Sequence, residues 1–192
     1  MNERRVAGVV LAAGAGVRFG GPKALVRLDG ERLVDRAVRT LRFGGCDPVL
    51  AVEGAAALAP VAAEIVTNTA WSQGMGSSLQ AALAALEQWP DVDAAVLLLV
   101  DTPWVGPDPV HRVIGEYTTS GREAVQASYD GVPGHPVLLA RSAWSAAAEL
   151  AVGDQGARGW LRRHRDEVSL VDCTGLGDSR DVDRPQDLPA DR

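Results

Sequence analysis

Four features of the sequence bring together groups that could do chemistry. The first is Leu11-Ala-Ala-Gly-Ala-Gly-Val-Arg-Phe-Gly-Gly-Pro-Lys-Ala-Leu25. Gly14, Gly16, Gly20 and Gly21 let backbone amides approach phosphate oxygens, and Arg18 and Lys23 add fixed positive charge. The combination suits a triphosphate; the competing reading is a flexible turn with two solvated cations. Two better-known glycine patterns are excluded by counting: GxGxxG from Gly14 would need glycine where Phe19 stands, and a Walker loop would need lysine directly after Gly21, where Pro22 stands. The second feature is Asp101, which follows the apolar run Ala94 to Val100. A hard cation such as Mg²⁺ takes carboxylate and phosphate oxygens together, so Asp101 is the leading metal ligand, with capping of the Thr102-Pro103 turn as the alternative. The third is His135, a lone histidine between Gly134 and Pro136. The fourth is Asp154 with Arg158 and the run Arg162, Arg163, Arg165, which reads either as a helix start with a solvated basic face or as a contact for an anion.

These residues must be held by regular elements, and the apolar pattern supplies them. Val6 to Ala12 is continuously apolar, as in a central parallel strand covered on both faces. Leu33, Val34, Ala37, Val38 and Leu41 recur at helical spacing, and Gly44-Gly45 ends that helix. Val49 to Val52 reads as a strand, Ala55 to Ala63 as a short helix and Glu64 to Val66 as a strand. Ser77 or Ser78 is expected to cap a helix running to about Trp89, followed by a strand over Ala94 to Val100. Further on, helices are expected at 109–117, 142–152 and 155–163, strands at 124–128, 136–140 and 168–171, and a turn over Asp130 to Gly134. Strands alternating with helices at this spacing predict a doubly wound α/β fold in one domain, with the acidic tail after about residue 178 partly mobile.

Composition narrows the function. The 192 residues carry 19 basic and 25 acidic side chains, a formal charge of −6, which is no footprint for nucleic acid. Of the basic residues, 18 are arginine and one, Lys23, is lysine. Cys46 and Cys173 form no CxxC, which argues for buried thiols in a reducing compartment and against a zinc site. Arg4-Arg5 before an apolar run superficially resembles a leader, yet the run is glycine-rich and reads better as a strand and loop. No apolar run approaches the roughly 20 residues of a membrane span, so a cytoplasmic protein is expected.

The stretch Leu11 to Leu25 resembles the signature of nucleotidyltransferases with the glycosyltransferase-A-like fold, in particular the molybdenum-cofactor cytidylyltransferase branch of the MobA-like enzymes. Ala13 and the Pro22-Lys23 pair match the cytidylyl branch rather than the guanylyl one. Weaker matches follow in order along residues 6 to 188: Asn68 to Leu79, Val100-Asp-Thr-Pro103, Gly134-His-Pro-Val137, Gly153-Asp-Gln-Gly-Ala-Arg158 and Asp181-Val-Asp-Arg-Pro-Gln-Asp-Leu188. The resemblance implies a three-layer α/β/α nucleotide-diphospho-sugar transferase fold with a mostly parallel sheet. It implies nucleotide contacts from Leu11, Ala12, Ala13, Gly14, Ala15, Gly16, Lys23, Asn68, Gly74 and Ser77, with Arg18 and Lys23 catalytic. It also implies Mg²⁺ on Asp101 and a late acid, best matched by Asp183 and next by Asp181, and a substrate loop at Gly134, His135 and Pro136. Trp71 and Trp104 lie in loops near this site and could stack on a flat ring.

The function so implied is transfer of a nucleoside monophosphate, CMP by preference, from a triphosphate to the phosphate of molybdopterin, with release of diphosphate. The product would serve a molybdenum hydroxylase, and neither nucleic acid nor membrane is expected as a partner. Two alternatives remain: an NAD(P)H-dependent oxidoreductase on the same scaffold, as proteins named nicotine blue oxidoreductase suggest, and a non-catalytic nucleotide-binding protein.

Overall fold

In the computed structural model, which describes residues 5–189, the buried strand expected at the N-terminus is β1 (Arg5–Leu11), and Arg4 lies outside the described residues. After the glycine-rich loop come a two-stranded hairpin of β2 (Arg27–Leu28) and β3 (Glu31–Arg32), then α1 (Leu33–Phe43), β4 (Val49–Glu53), β5 (Glu64–Thr67), α2 (Met75–Leu86) and β6 (Val92–Leu99). The second half contains α3 (Pro107–Ser120), β7 (Ala124–Tyr129), β8 (Val132–Ala140), α4 (Trp144–Leu150), α5 (Arg158–Arg163) and β9 (Val168–Asp172).

Seven strands form one sheet in the order β5-β4-β1-β6-β8-β7-β9, in which only β8 runs against its neighbours. Alternation along β1 explains the three layers. Val6, Val10 and Ala12 pack with α1 and α3 through Val38, Leu41, Val110 and Val113, while Ala7, Val9 and Leu11 face α2, α4 and α5 through Leu79, Leu83, Trp144 and Trp160. Trp144 and Trp160 are thus core residues.

Three local expectations are corrected. Residues 55–63 form no helix: Pro60 lacks an N–H and disfavours the α conformation before it. The segment is instead tied by Glu53, whose carboxylate accepts from the Leu58 amide at 2.9 Å, and by Arg32, which donates to the Leu58 carbonyl at 3.0 Å and to that of Pro60. Helix α2 starts before the two serines, after Gly74, whose φ of 103° is a conformation glycine adopts freely. The turn expected over Asp130 to Gly134 is only Asp130-Gly131, both at positive φ, so β8 begins at Val132. Asp29-Gly30 makes the same kind of turn between β2 and β3. Val182 is fully buried and its N–H donates to the Asp101 carbonyl at 2.8 Å, so the chain after Gly177 is stitched across the carboxyl ends of the strands.

Candidate functional site

Strands β1 and β6 are parallel neighbours with Leu11 opposite Leu99, so the chain leaves both at the same edge of the sheet. One exit becomes the glycine-rich loop and the other becomes Val100-Asp101. The loop is shaped by Gly16: its carbonyl accepts from the amides of Phe19, Gly20 and Gly21 at 2.9, 2.9 and 3.1 Å, and its φ is 60°. This tight turn returns the chain to Pro22 and points Lys23 inward.

Lys23 is the electrostatic centre of the site. Its Nζ donates to Asp101 Oδ2 at 2.9 Å and to Asp183 Oδ1 at 3.1 Å, with only 14% of the side chain exposed. The side chain of Asp101 is 22% exposed and that of Asp183 47%. Burial is the largest single influence on Lys23 and would lower its pKa, but the two carboxylates outweigh it and the net direction is upward. Asp183 is held below the usual carboxylate range, mainly by its hydrogen bond from Lys23. Arg18, 77% exposed, stands at the outer edge with its guanidinium 3.7 Å from Asp183. Of the two late acids, Asp183 shares Lys23 with Asp101, while Asp181 lines the cavity bordered by His135.

Two cavities open at this edge and share Leu11, Met75 and Leu99 as a common wall. The first, about 220 Å³, is bordered by Ala13, Gly14, Gly16, Lys23, Asp101 and the first turn of α2. Backbone amides at a helix N-terminus favour an anion, which suits phosphate on that wall. The second, about 210 Å³, is bordered by Gly134, His135, Gln126, Arg158, Ser179 and Asp181. Beyond it, past Arg158 and Leu161, a cleft of about 490 Å³ is lined by Leu161, Val168 and Leu170 together with Arg158, Arg162 and Arg165.

Not every residue singled out in the sequence reaches a cavity. Asn68 is buried behind the wall: its amide nitrogen donates to Ser77 and Ser78 Oγ at 2.9 and 3.1 Å, and its carbonyl oxygen accepts from the Ala70 amide. Ser77 Oγ also lies 2.8 Å from the Gly74 carbonyl, so Asn68 and Ser77 brace the start of α2. Ala12, Ala15, Arg18 and Pro136 do not border either cavity. Conversely, Trp71, Met75, Ser78 and Asp154 border the first cavity. Trp71 is brought there by Gly54, where a Cβ would stand 2.6 Å from Trp71 Cβ and 2.8 Å from Ala13 Cβ. Trp104 is less free than its loop position suggested, because Arg180 covers its ring at 5.0 Å.

His135 is half-buried, with Nδ1 3.4 Å from the Leu97 carbonyl. Burial pushes its pKa below the ordinary 6.5 and Arg158 acts in the same direction, while the Leu97 carbonyl and Asp101 oppose them. An unfolded chain takes up a proton that this site resists, so the stabilisation present above about pH 6.5 is lost as pH falls. His135→Gln should therefore flatten the decline of Tm between pH 7.5 and 5; parallel curves for the two proteins would exclude His135 as a source of that slope.

A glycine loop, a lysine and two carboxylates at the carboxyl ends of parallel strands define an α/β nucleotide-binding protein. The chain belongs to the MobA-like NTP transferase domain family, whose model matches residues 8–168, and its architecture is the nucleotide-diphospho-sugar transferase fold. Among curated relatives, it is 36% identical to a nicotine blue oxidoreductase of Paenarthrobacter nicotinovorans, over 95% of this chain and 94% of that one. It is 37% identical to a probable molybdenum cofactor guanylyltransferase of Opitutus terrae, over 55% of this chain and 54% of that one. Among solved structures, Rv0371c of Mycobacterium tuberculosis superposes with a TM-score of 0.79 at 28% identity, covering 97% and 96% of the two chains, and that protein has also been crystallised with manganese.

Proposed function

We propose that this protein transfers CMP from CTP to the terminal phosphate of a pterin acceptor of the molybdopterin type, releasing diphosphate. The observation that carries this reading is the placement of Lys23 between Asp101 and Asp183, beside the wall that the two cavities share. The first cavity takes the triphosphate and the second the acceptor. An acceptor phosphate is already a nucleophile, so the site has to position two anions and offset their charge rather than remove a proton.

The residues fit a divalent cation. Among the described residues no group of three or more histidines, cysteines or acids gathers to hold a metal, but Mg²⁺ commonly takes one or two carboxylates and completes its shell with phosphate oxygens and water. Asp101 and Asp183 would hold it, and when bound it would neutralise charge on the phosphate oxygens. Lys23 and the amides of the glycine loop then bind the leaving diphosphate, and Arg18 adds charge from the rim. Leu11, Met75 and Leu99 exclude water from the boundary between the cavities. On the acceptor side His135 and the Gly134 backbone orient the substrate, and the cleft that Arg158 helps to line can receive its far end. A pyrimidine is favoured by Ala13 and Trp71, which close on each other across Gly54, and by the Pro22-Lys23 pair. The product suits a molybdenum hydroxylase as its recipient.

The test is a panel of CTP, GTP, ATP and UTP, each with molybdopterin and Mg²⁺, scored by diphosphate release. CTP should exceed the others by at least about tenfold, equivalent to about 1.4 kcal/mol of discrimination. A preference for GTP would overturn the base assignment, and binding without release would indicate a nucleotide sensor.

One observation favours a second reading: the full-length similarity to a nicotine blue oxidoreductase. The large apolar cleft could seat a flat dye. Against it, the lysine and two carboxylates have an evident task in phosphate transfer and none in hydride transfer. Incubation with NADH or NADPH and a quinonoid dye, without triphosphate, separates the two: dye reduction together with silence across the panel would replace the transferase reading.

A further inference from the structure

The position of Lys23 has a consequence for how a metal can enter. One ammonium satisfies both carboxylates at 2.9 and 3.1 Å, and a divalent cation needs those same oxygens. A second positive centre cannot share them at that range without strong like-charge repulsion in a site that is three-quarters or more covered at Lys23 and Asp101. For a metal to bind, Nζ must leave.

Its departure is feasible because the backbone and the side chain are decoupled. The loop is pinned at its base by the three amide hydrogen bonds to the Gly16 carbonyl, and Asp183 by the bond from Val182 to the Asp101 carbonyl. The four-carbon stem of a lysine can swing while both attachments stay fixed. For the ammonium to leave both carboxylates, another anion must receive it. Lys23 borders the first cavity together with Gly14 and Gly16, so a polyphosphate there would offer one within reach.

We propose that Lys23 is a resident cation that stands in for the metal and yields its place only when a triphosphate draws it away, so that metal and nucleotide enter together. The same side chain then serves twice, first as a lock on the two carboxylates and then as a ligand for the phosphates. Bare divalent ions, which would otherwise fill the carboxylate pair, are kept out of a nucleotide-free site. This rests on Asp101 and Asp183 being the metal ligands proposed above.

The test is binding of Mn²⁺ alone, followed by the loss of the free-ion paramagnetic resonance signal, with no nucleotide present. Wild type should bind weakly, and Lys23→Met should bind about tenfold or more tightly because a positive charge in contact with the ligands is gone. Lys23→Gln, which keeps a hydrogen-bond donor without the charge, should show the same gain and serves if the methionine variant folds poorly. Adding Asp101→Asn to Lys23→Met should abolish the gain, locating it at the carboxylate pair. Arg18→Met, which removes an exposed charge 3.7 Å from Asp183, should change affinity by no more than about threefold, since solvent screens it. Equal Mn²⁺ affinity in wild type and both Lys23 variants would overturn the proposal, as would a gain that survives Asp101→Asn. Those outcomes leave the transferase reading standing if diphosphate release by wild type is normal, whereas a Lys23-dependent gain without transfer to any acceptor would do the reverse.

Discussion

Lys23→Ala should lower the rate of diphosphate release by roughly two to three orders of magnitude while the protein stays folded. The two halves of that expectation come from different parts of the geometry. The rate falls because, among the described residues, Lys23 is the one cation within hydrogen-bond distance of Asp101, and it also borders the triphosphate cavity. Arg18 cannot replace it: its guanidinium reaches Asp183 only at 3.7 Å from an exposed position, where charge is screened. The fold survives because the loop is built from backbone hydrogen bonds to Gly16, none of which involves the lysine side chain. Asp183, half-exposed, can be rehydrated when its partner is lost. Paired measurements of kcat and Tm separate the halves. Near-normal kcat would remove Lys23 from the catalytic step, and a collapsed Tm would make the lost rate uninformative. Lys23→Arg sharpens the point, since a planar guanidinium cannot fit between two carboxylates and then among phosphate oxygens as a compact ammonium does; activity well below wild type is expected. The same alanine variant should bind free Mn²⁺ better while turning over worse, which a general loss of structure would not produce.

The residues that carry the chemistry were more legible in the sequence than the walls around them. The glycine loop and Asp101 each follow a continuously apolar strand, and Lys23 closes that loop; an apolar run of that kind survives any local irregularity. Asp183 needed the family resemblance, because nothing local shows that the tail folds back; its cue, the fully buried Val182 beside it, is a single residue in an acidic segment. Trp71, Ser78 and Asp154 reach the first cavity from three separate segments, and no spacing rule links residues that meet only through tertiary packing. Two signals held more than the expectations took from them. Asp29-Gly30 and Asp130-Gly131 are the dipeptides of tight hairpins, and reading the second would have placed the start of β8 at Val132. Gly74 before Met75 marked the helix start better than the serines, whose hydroxyls are occupied with Asn68. Asn68 and Ser77 illustrate a general hazard: a polar residue in a signature loop can be there to build the wall and not to touch the ligand.

Gly16 and Gly14, two residues apart, should respond oppositely to alanine. A Cβ on Gly16 would lie 1.9 Å from the Gly21 carbonyl oxygen and 2.8 Å from its carbon, both backbone atoms that cannot rotate away, at a φ of 60° that already penalises any side chain. Relief requires opening the turn, which releases the amide bonds to the Gly16 carbonyl and carries Lys23 off its carboxylates. Gly16→Ala should therefore lose at least about 2 kcal/mol of stability and nearly all activity. A Cβ on Gly14 meets nothing within 4 Å, so Gly14→Ala should leave Tm unchanged. Gly14 nevertheless borders the first cavity, where the absence of a side chain would let phosphate oxygens approach the backbone. Its alanine variant should weaken triphosphate binding by about tenfold in a calorimetric titration, the order of one lost close contact. If Gly14→Ala binds triphosphate as wild type does, the phosphates do not lie against that stretch of the loop. A lowered Tm in the same variant would mean that the loop, and not its ligand, demands glycine at both positions.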